Sequence, residues 1–130
     1  MLDISPEKVA HVIVRARELD GKVAAWDGDG DEADSDSILE SRRDDPTEAE
    51  LRGFIDDMNV DEQVALVALM WIGRGTYEPD DIQEALDTAR SERVNKTEDY
   101  LLGVPLLADY LEEGLDKMGI SVEAAEEGIL

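Results

Sequence analysis

Nine consecutive apolar residues, Val64 to Ile72, stand between a helix-start signal and a pair of glycines, and they restrict the fold more than any other stretch. Asn59-Val60-Asp61-Glu62 puts an acceptor side chain at a helix start with a glutamate three residues on, the spacing of a capping box. The run is therefore read as a helix over about residues 61–73, stopped by Gly73-Arg74-Gly75. A helix that is apolar all round has no face to give to water. It must be wrapped by its neighbours or keep one side for another subunit.

The wrapping elements can be read on either side of it. Ser5-Pro6-Glu7 combines a capping hydroxyl, a proline suited to the first helical position and an acid at the positive helix end. Val9, Val12, Ile13, Ala16 and Leu19 then recur at intervals of three and four, which predicts a first helix ending near Gly21. Asp45-Pro46-Thr47-Glu48 opens a second, with Leu51, Phe54, Ile55 and Met58 on one face. Glu78-Pro79-Asp80-Asp81 starts a fourth bearing Ile82, Ala85, Leu86 and Ala89, and Thr97-Glu98-Asp99 caps a further turn. Pro105 is expected to open the last helix, which carries Leu107, Tyr110, Leu111, Leu115 and Met118 and stops at Gly119. No alternating apolar and polar run demands a strand. The expected fold is all-α, a compact array of about five main helices around the central one, with no sheet.

Charge sets the remaining boundaries. The chain has 130 residues, with 34 acidic against 12 basic side chains and a formal net charge of −22. Between Asp27 and Asp45 nine acidic residues face only Arg42 and Arg43, so a mobile acidic loop is expected at about residues 27–45. A single domain over residues 1–119 and a partly ordered acidic tail over 120–130 complete the organisation. Without cysteine there is no disulfide framework and no thiolate chemistry. The start of the chain lacks a basic segment followed by an apolar one, and nine apolar residues fall short of the ~20 of a membrane span, so a cytoplasmic setting is expected.

Four segments together carry a family likeness: Ile4-Ser5-Pro6-Glu7-Lys8-Val9, then Asp45-Pro46-Thr47-Glu48 with Leu51-Arg52, then Asp61-Glu62-Gln63 through Trp71-Ile72-Gly73-Arg74-Gly75, and Tyr100 to Leu107 through Tyr110 to Leu115. In this order, over Leu2 to about Gly119, the chain resembles DUF3775, a bacterial domain family of unknown function. The resemblance implies a small, acidic, helical bacterial protein, and it brings no family active site.

Each candidate for chemistry meets a plainer reading. Asp27, Asp29 and Asp31 suggest a calcium loop, but Glu32 stands where an EF-hand needs glycine, Asp34 where it needs an apolar residue and Ile38 where it needs the bidentate glutamate. Specific calcium binding is not expected. His11 is the one histidine, which removes two-histidine zinc and di-iron patterns, and its helical phase places it opposite the apolar stripe as a solvated side chain. The adjacent acids Asp56-Asp57, Asp80-Asp81 and Glu112-Glu113 point different ways on a helix and make no paired site by themselves. No serine lies in a nucleophile elbow, and no Walker-type loop is present. No cofactor site and no catalytic set is expected.

Gly73-Arg74-Gly75-Thr76-Tyr77 offers a guanidinium on a glycine-rich turn that could grip a carboxylate or phosphate, although a glycine helix stop with an arginine at the negative end is the favoured account. Trp26, Trp71, Tyr77, Tyr100 and Tyr110 are candidate interface anchors. Of these residues Arg74, Tyr77 and Trp71 are taken as the interaction surface, with Trp71 assigned to the core side of the third helix. The preferred function is a non-enzymatic protein-interaction module that binds a protein partner or associates with itself. The alternative is an acidic regulator that binds a basic protein or imitates nucleic acid. A carboxylate- or metal-dependent enzyme ranks third. A charge of −22 repels phosphates and anionic lipids, so direct binding to nucleic acid or membrane is not expected.

Overall fold

The computed structural model describes residues 4–27, 46–93 and 96–120. Among them are six α-helices and no strand: α1 (Pro6–Asp27), α2 (Pro46–Asp56), α3 (Val60–Arg74), α4 (Ile82–Ser91), α5 (Thr97–Leu102) and α6 (Leu107–Lys117), with a 3₁₀ turn at Pro79–Asp81 leading into α4. The all-α expectation holds. The helix beyond the expected five is α5, the turn expected after Thr97, which completes six helical residues.

The central helix forms where the capping box demanded it. Asn59 Oδ1 accepts from the Glu62 amide at 2.8 Å, and the Glu62 carboxylate accepts from the Asn59 amide at 3.1 Å. These bonds satisfy two amides that a helix start leaves unpaired, and removing such a cap typically costs about 1 kcal/mol. At the far end Gly75 adopts φ 93°, with its amide bonded to the Ile72 carbonyl and the Thr76 amide to the Trp71 carbonyl. Glycine meets that left-handed geometry without a Cβ clash. Between the caps every residue from Gln63 to Ile72 is buried. The apolar run is enclosed by α4, α5 and α6, while α1 packs on α6 and α2, and α2 packs on α5.

The seam between α3 and α6 is a contact of backbones. A Cβ placed on Gly73 would lie 1.7 Å from the Tyr110 carbonyl oxygen, and one on Gly114 would lie 2.4 Å from that of Leu69. Gly73 thus sits inside α3 as a close-approach residue, and the helix stop falls to Gly75 alone. Lys117 adds to the seam by donating from Nζ to the Ile72 carbonyl at 3.2 Å.

Four local expectations are corrected. Helix α1 passes through Gly21 to Asp27, because Gly21 does not take the positive φ of a cap and helix-forming residues follow it. His11 is half-buried and stacked on Phe54, with ring centroids 4.1 Å apart, because α2 covers the flank of α1 that the apolar stripe left open. Thr97 does not cap α5. It is the first helical residue, buried and turned inward. Pro105 does not begin α6 either. Leu106 follows it at φ 62°, and the helix starts at Leu107. The expected acidic loop beyond Asp27 and the tail beyond Ile120 lie outside the described residues.

Candidate functional site

A polar residue opens the buried face of α3. Gln63 is 4% exposed. Its amide nitrogen donates to the carbonyls of Ile55 at 3.0 Å and Met58 at 3.1 Å, closing the C-terminal end of α2. With the nitrogen so occupied, the Gln63 oxygen faces the other way. There it accepts from the Arg93 guanidinium at 2.6 Å and from the Thr97 hydroxyl at 3.1 Å. One side chain therefore joins α2, α3, the segment just beyond α4 and the start of α5.

Gln63 borders a cleft of about 130 Å³, lined on its apolar side by Val64, Val67, Trp71 and Ala89. Its polar rim includes Arg93 and Tyr100. Trp71 is buried and donates from Nε1 to the Tyr100 hydroxyl at 3.0 Å, which keeps that hydroxyl's own proton available for a further bond. Tyr100 is nevertheless 42% exposed, among the few large apolar-bodied side chains so open to solvent. Arg93 gives one N–H to Gln63 and is exposed as a residue. The hydroxyl of Tyr100 and the remaining N–H groups of Arg93 make the rim rich in hydrogen-bond donors beside an apolar floor.

Across α5 lies a second, more open hollow of about 290 Å³, lined by Arg52, Gly53, Asp56, Lys96, Glu98 and Asp99. Arg52 is engaged there, paired with Asp99 and, at 3.9 Å, with Glu48. Glu98 is 6% exposed.

The residues singled out from the sequence divide between these places and elsewhere. Trp71 reaches the first cleft, and Tyr77 packs behind it with ring centroids 5.7 Å apart. Arg74 lines neither cavity, and its Nε donates to the Thr76 hydroxyl at 3.1 Å on the exposed end of α3. Gln63, Arg93, Thr97 and Glu98 were not singled out as site residues, while Tyr100 was named among the aromatic anchors. Gln63 carried one legible signal, as the polar residue between the capping glutamate and the apolar run. Arg93, Thr97 and Glu98 carried none.

The other acids stay apart. Asp56, Asp57, Asp80, Asp81 and Glu113 are exposed, and Glu112 binds Arg17 at 2.8 Å. Among the described residues no three His, Asp or Glu side chains gather as a metal-holding group, and no helix is long and apolar enough to cross a membrane. The Glu62 carboxyl is held below the usual carboxylate value by its bonds from Lys8 and from the Asn59 amide. Burial, then the neighbouring Asp109, pushes the Asp20 carboxyl up. Neither group lines either of the two cavities described above.

A family model described as "Protein of unknown function (DUF3775)" matches residues 48–120, more than half of the chain. The matched stretch runs from the first turn of α2 past the end of α6 and contains both cavities. The Ile4 to Val9 segment lies before it. No curated protein and no solved structure matches the chain.

Proposed function

Because this chain belongs to the DUF3775 family, whose description assigns no activity, we propose a function from geometry: a non-enzymatic interaction module whose cleft between α3, α4 and α5 receives an apolar side chain of a partner protein. The observation that carries this reading is the pairing of an apolar floor, Val64, Val67, Trp71 and Ala89, with exposed donors at Tyr100 and Arg93 in a space of about 130 Å³. Pockets for drug-sized molecules run to about 300–1,000 Å³. A space less than half as large as the smaller figure suits one side chain, and the donors suit the backbone carbonyls beside it. Tyrosine, tryptophan and arginine are the residue types that most often dominate binding energy at interfaces.

Charge selects the kind of partner. Two copies of a chain with net charge −22 repel each other, whereas a basic protein is drawn in over long range. The occupant is therefore a basic protein rather than a second copy. Affinity isolation with the intact chain as bait tests the reading. The same partner should be recovered with wild-type bait and fall about tenfold with Tyr100→Ala and with Arg93→Ala, the equivalent of ~1.4 kcal/mol each. Circular dichroism should show both variants folded. Undiminished recovery with both, or a wild-type dimer in sedimentation that Tyr100→Ala dissociates, overturns it.

A further inference from the structure

We propose that the hollow between α2 and α5 binds the guanidinium of an arginine side chain presented by the partner, with Glu98 as the anchoring carboxylate. The proposal rests on the reading of the protein as a module for a basic partner and names the group that such a partner would bring.

Glu98 is the unusual feature of this surface. The residue is more than nine-tenths buried, and among the described residues neither a hydrogen bond nor an ion pair reaches its carboxylate. A buried carboxylate is ordinarily paired, because removal from water penalises its charge until a donor or cation compensates. The cations nearest in the fold do not compensate it. Arg52 lines the same hollow but is held by Asp99 and Glu48, and Lys96 lines the rim without a bond to Glu98. The missing partner is thus a donor-rich cation arriving from outside, and the exposed Asp56 carboxylate at the rim favours its approach.

The lining chooses among cations. A divalent ion needs several oxygen ligands converging on one point, and among the described residues no such group of three occurs. A guanidinium asks for less. Its planar fork pairs with the two oxygens of one carboxylate, and its delocalised charge is more weakly hydrated than an ammonium, so it enters a buried site more readily than lysine does.

Titration of the full chain by ¹H–¹⁵N NMR with Nα-acetyl-arginine amide tests the site. Saturable shifts are expected at the amides of Gly53, Asp56, Glu98 and Asp99, absent with the neutral citrulline analogue and several-fold weaker with Nα-acetyl-lysine amide. Glu98→Gln should abolish them. Should that variant unfold, Asp56→Asn, at an exposed rim position, should weaken binding about threefold instead. Several results overturn the proposal: no saturable shifts, shifts spread evenly over the acidic surface, equal binding of the lysine compound, or binding that emerges only after Lys96→Met. The last would make Lys96 the group that occupies Glu98. Partner capture that depends on Tyr100 without any arginine binding would sink this site and leave the interaction module standing.

Discussion

His11 shows how much a single side chain's surroundings matter. By helical phase it belongs to water, yet α2 brings Phe54 over it and makes it a half-buried ring in a stacked pair. Burial first, then Arg15, lowers its pKa from the ordinary 6.5, against an opposing pull from Glu18 and Glu50. The unfolded chain takes up the proton near 6.5, and the folded chain does so only at lower pH. The stabilisation from a neutral His11 is therefore complete above that value and is lost as the pH falls through the folded one. His11→Phe keeps a ring against Phe54 and removes the titration. Urea unfolding of both proteins from about pH 7 to about pH 5 should show the wild type losing stability relative to the variant across the range where histidines titrate. Parallel curves would mean that His11 titrates alike in the folded and unfolded states.

Among the elements, α3 depends on one polar residue for its place. Gln63→Leu should cost about 3 kcal/mol, since it strips a donor from the Ile55 and Met58 carbonyls and an acceptor from Arg93 and Thr97 in a largely buried setting. Equilibrium unfolding in urea measures it, and a loss under about 1 kcal/mol would show water replacing the amide. The capping box is the contrasting case. Asn59 and Glu62 were legible because both halves of that interaction lie three residues apart, and the burial of Val64 to Ile72 was legible because no face of that stretch is polar. Gln63 joins residues 8, 5, 30 and 34 positions away, so no local spacing announces it. Helix α1 running on past Gly21, Thr97 turning inward and Glu98 lacking a partner are likewise set by what packs alongside. Of the candidate site, the aromatic residues could be read as possible anchors, whereas the polar residues around them could not be assigned before the helices were assembled.

For the molecule as a whole, self-repulsion competes with a sparse set of ion pairs. Lys8 with Glu62, Arg15 with Glu18, Arg17 with Asp109 and Glu112, Arg52 with Glu48 and Asp99, and Arg90 with Asp61 lie at the surface, most of them linking one helix to another. Exposed pairs of this kind contribute about 0–1 kcal/mol each, and salt weakens them. Salt also screens the repulsion among 34 acidic side chains that 12 basic ones cannot neutralise. That repulsion outweighs the pairs, so the thermal midpoint should rise as sodium chloride goes from about 0.01 M to about 0.5 M, over which the screening length falls from ~30 Å to a few ångströms. A midpoint that falls instead would show that the ion pairs dominate. A chain that folds only at the upper end would trace its acidity to life in brine rather than to a basic partner.

The meeting of main chains at Gly73 and Gly114 bears on how such a protein can change over time. In an ordinary core, an enlarged side chain on one helix can be accommodated by a smaller one opposite. Here the opposing atoms are the carbonyls of Tyr110 and Leu69, which no substitution can trim. Drift in this protein should accordingly concentrate on the outward faces, away from this seam. The crossing itself has a single solution, so any lineage that loses either glycine must re-space two helices at once.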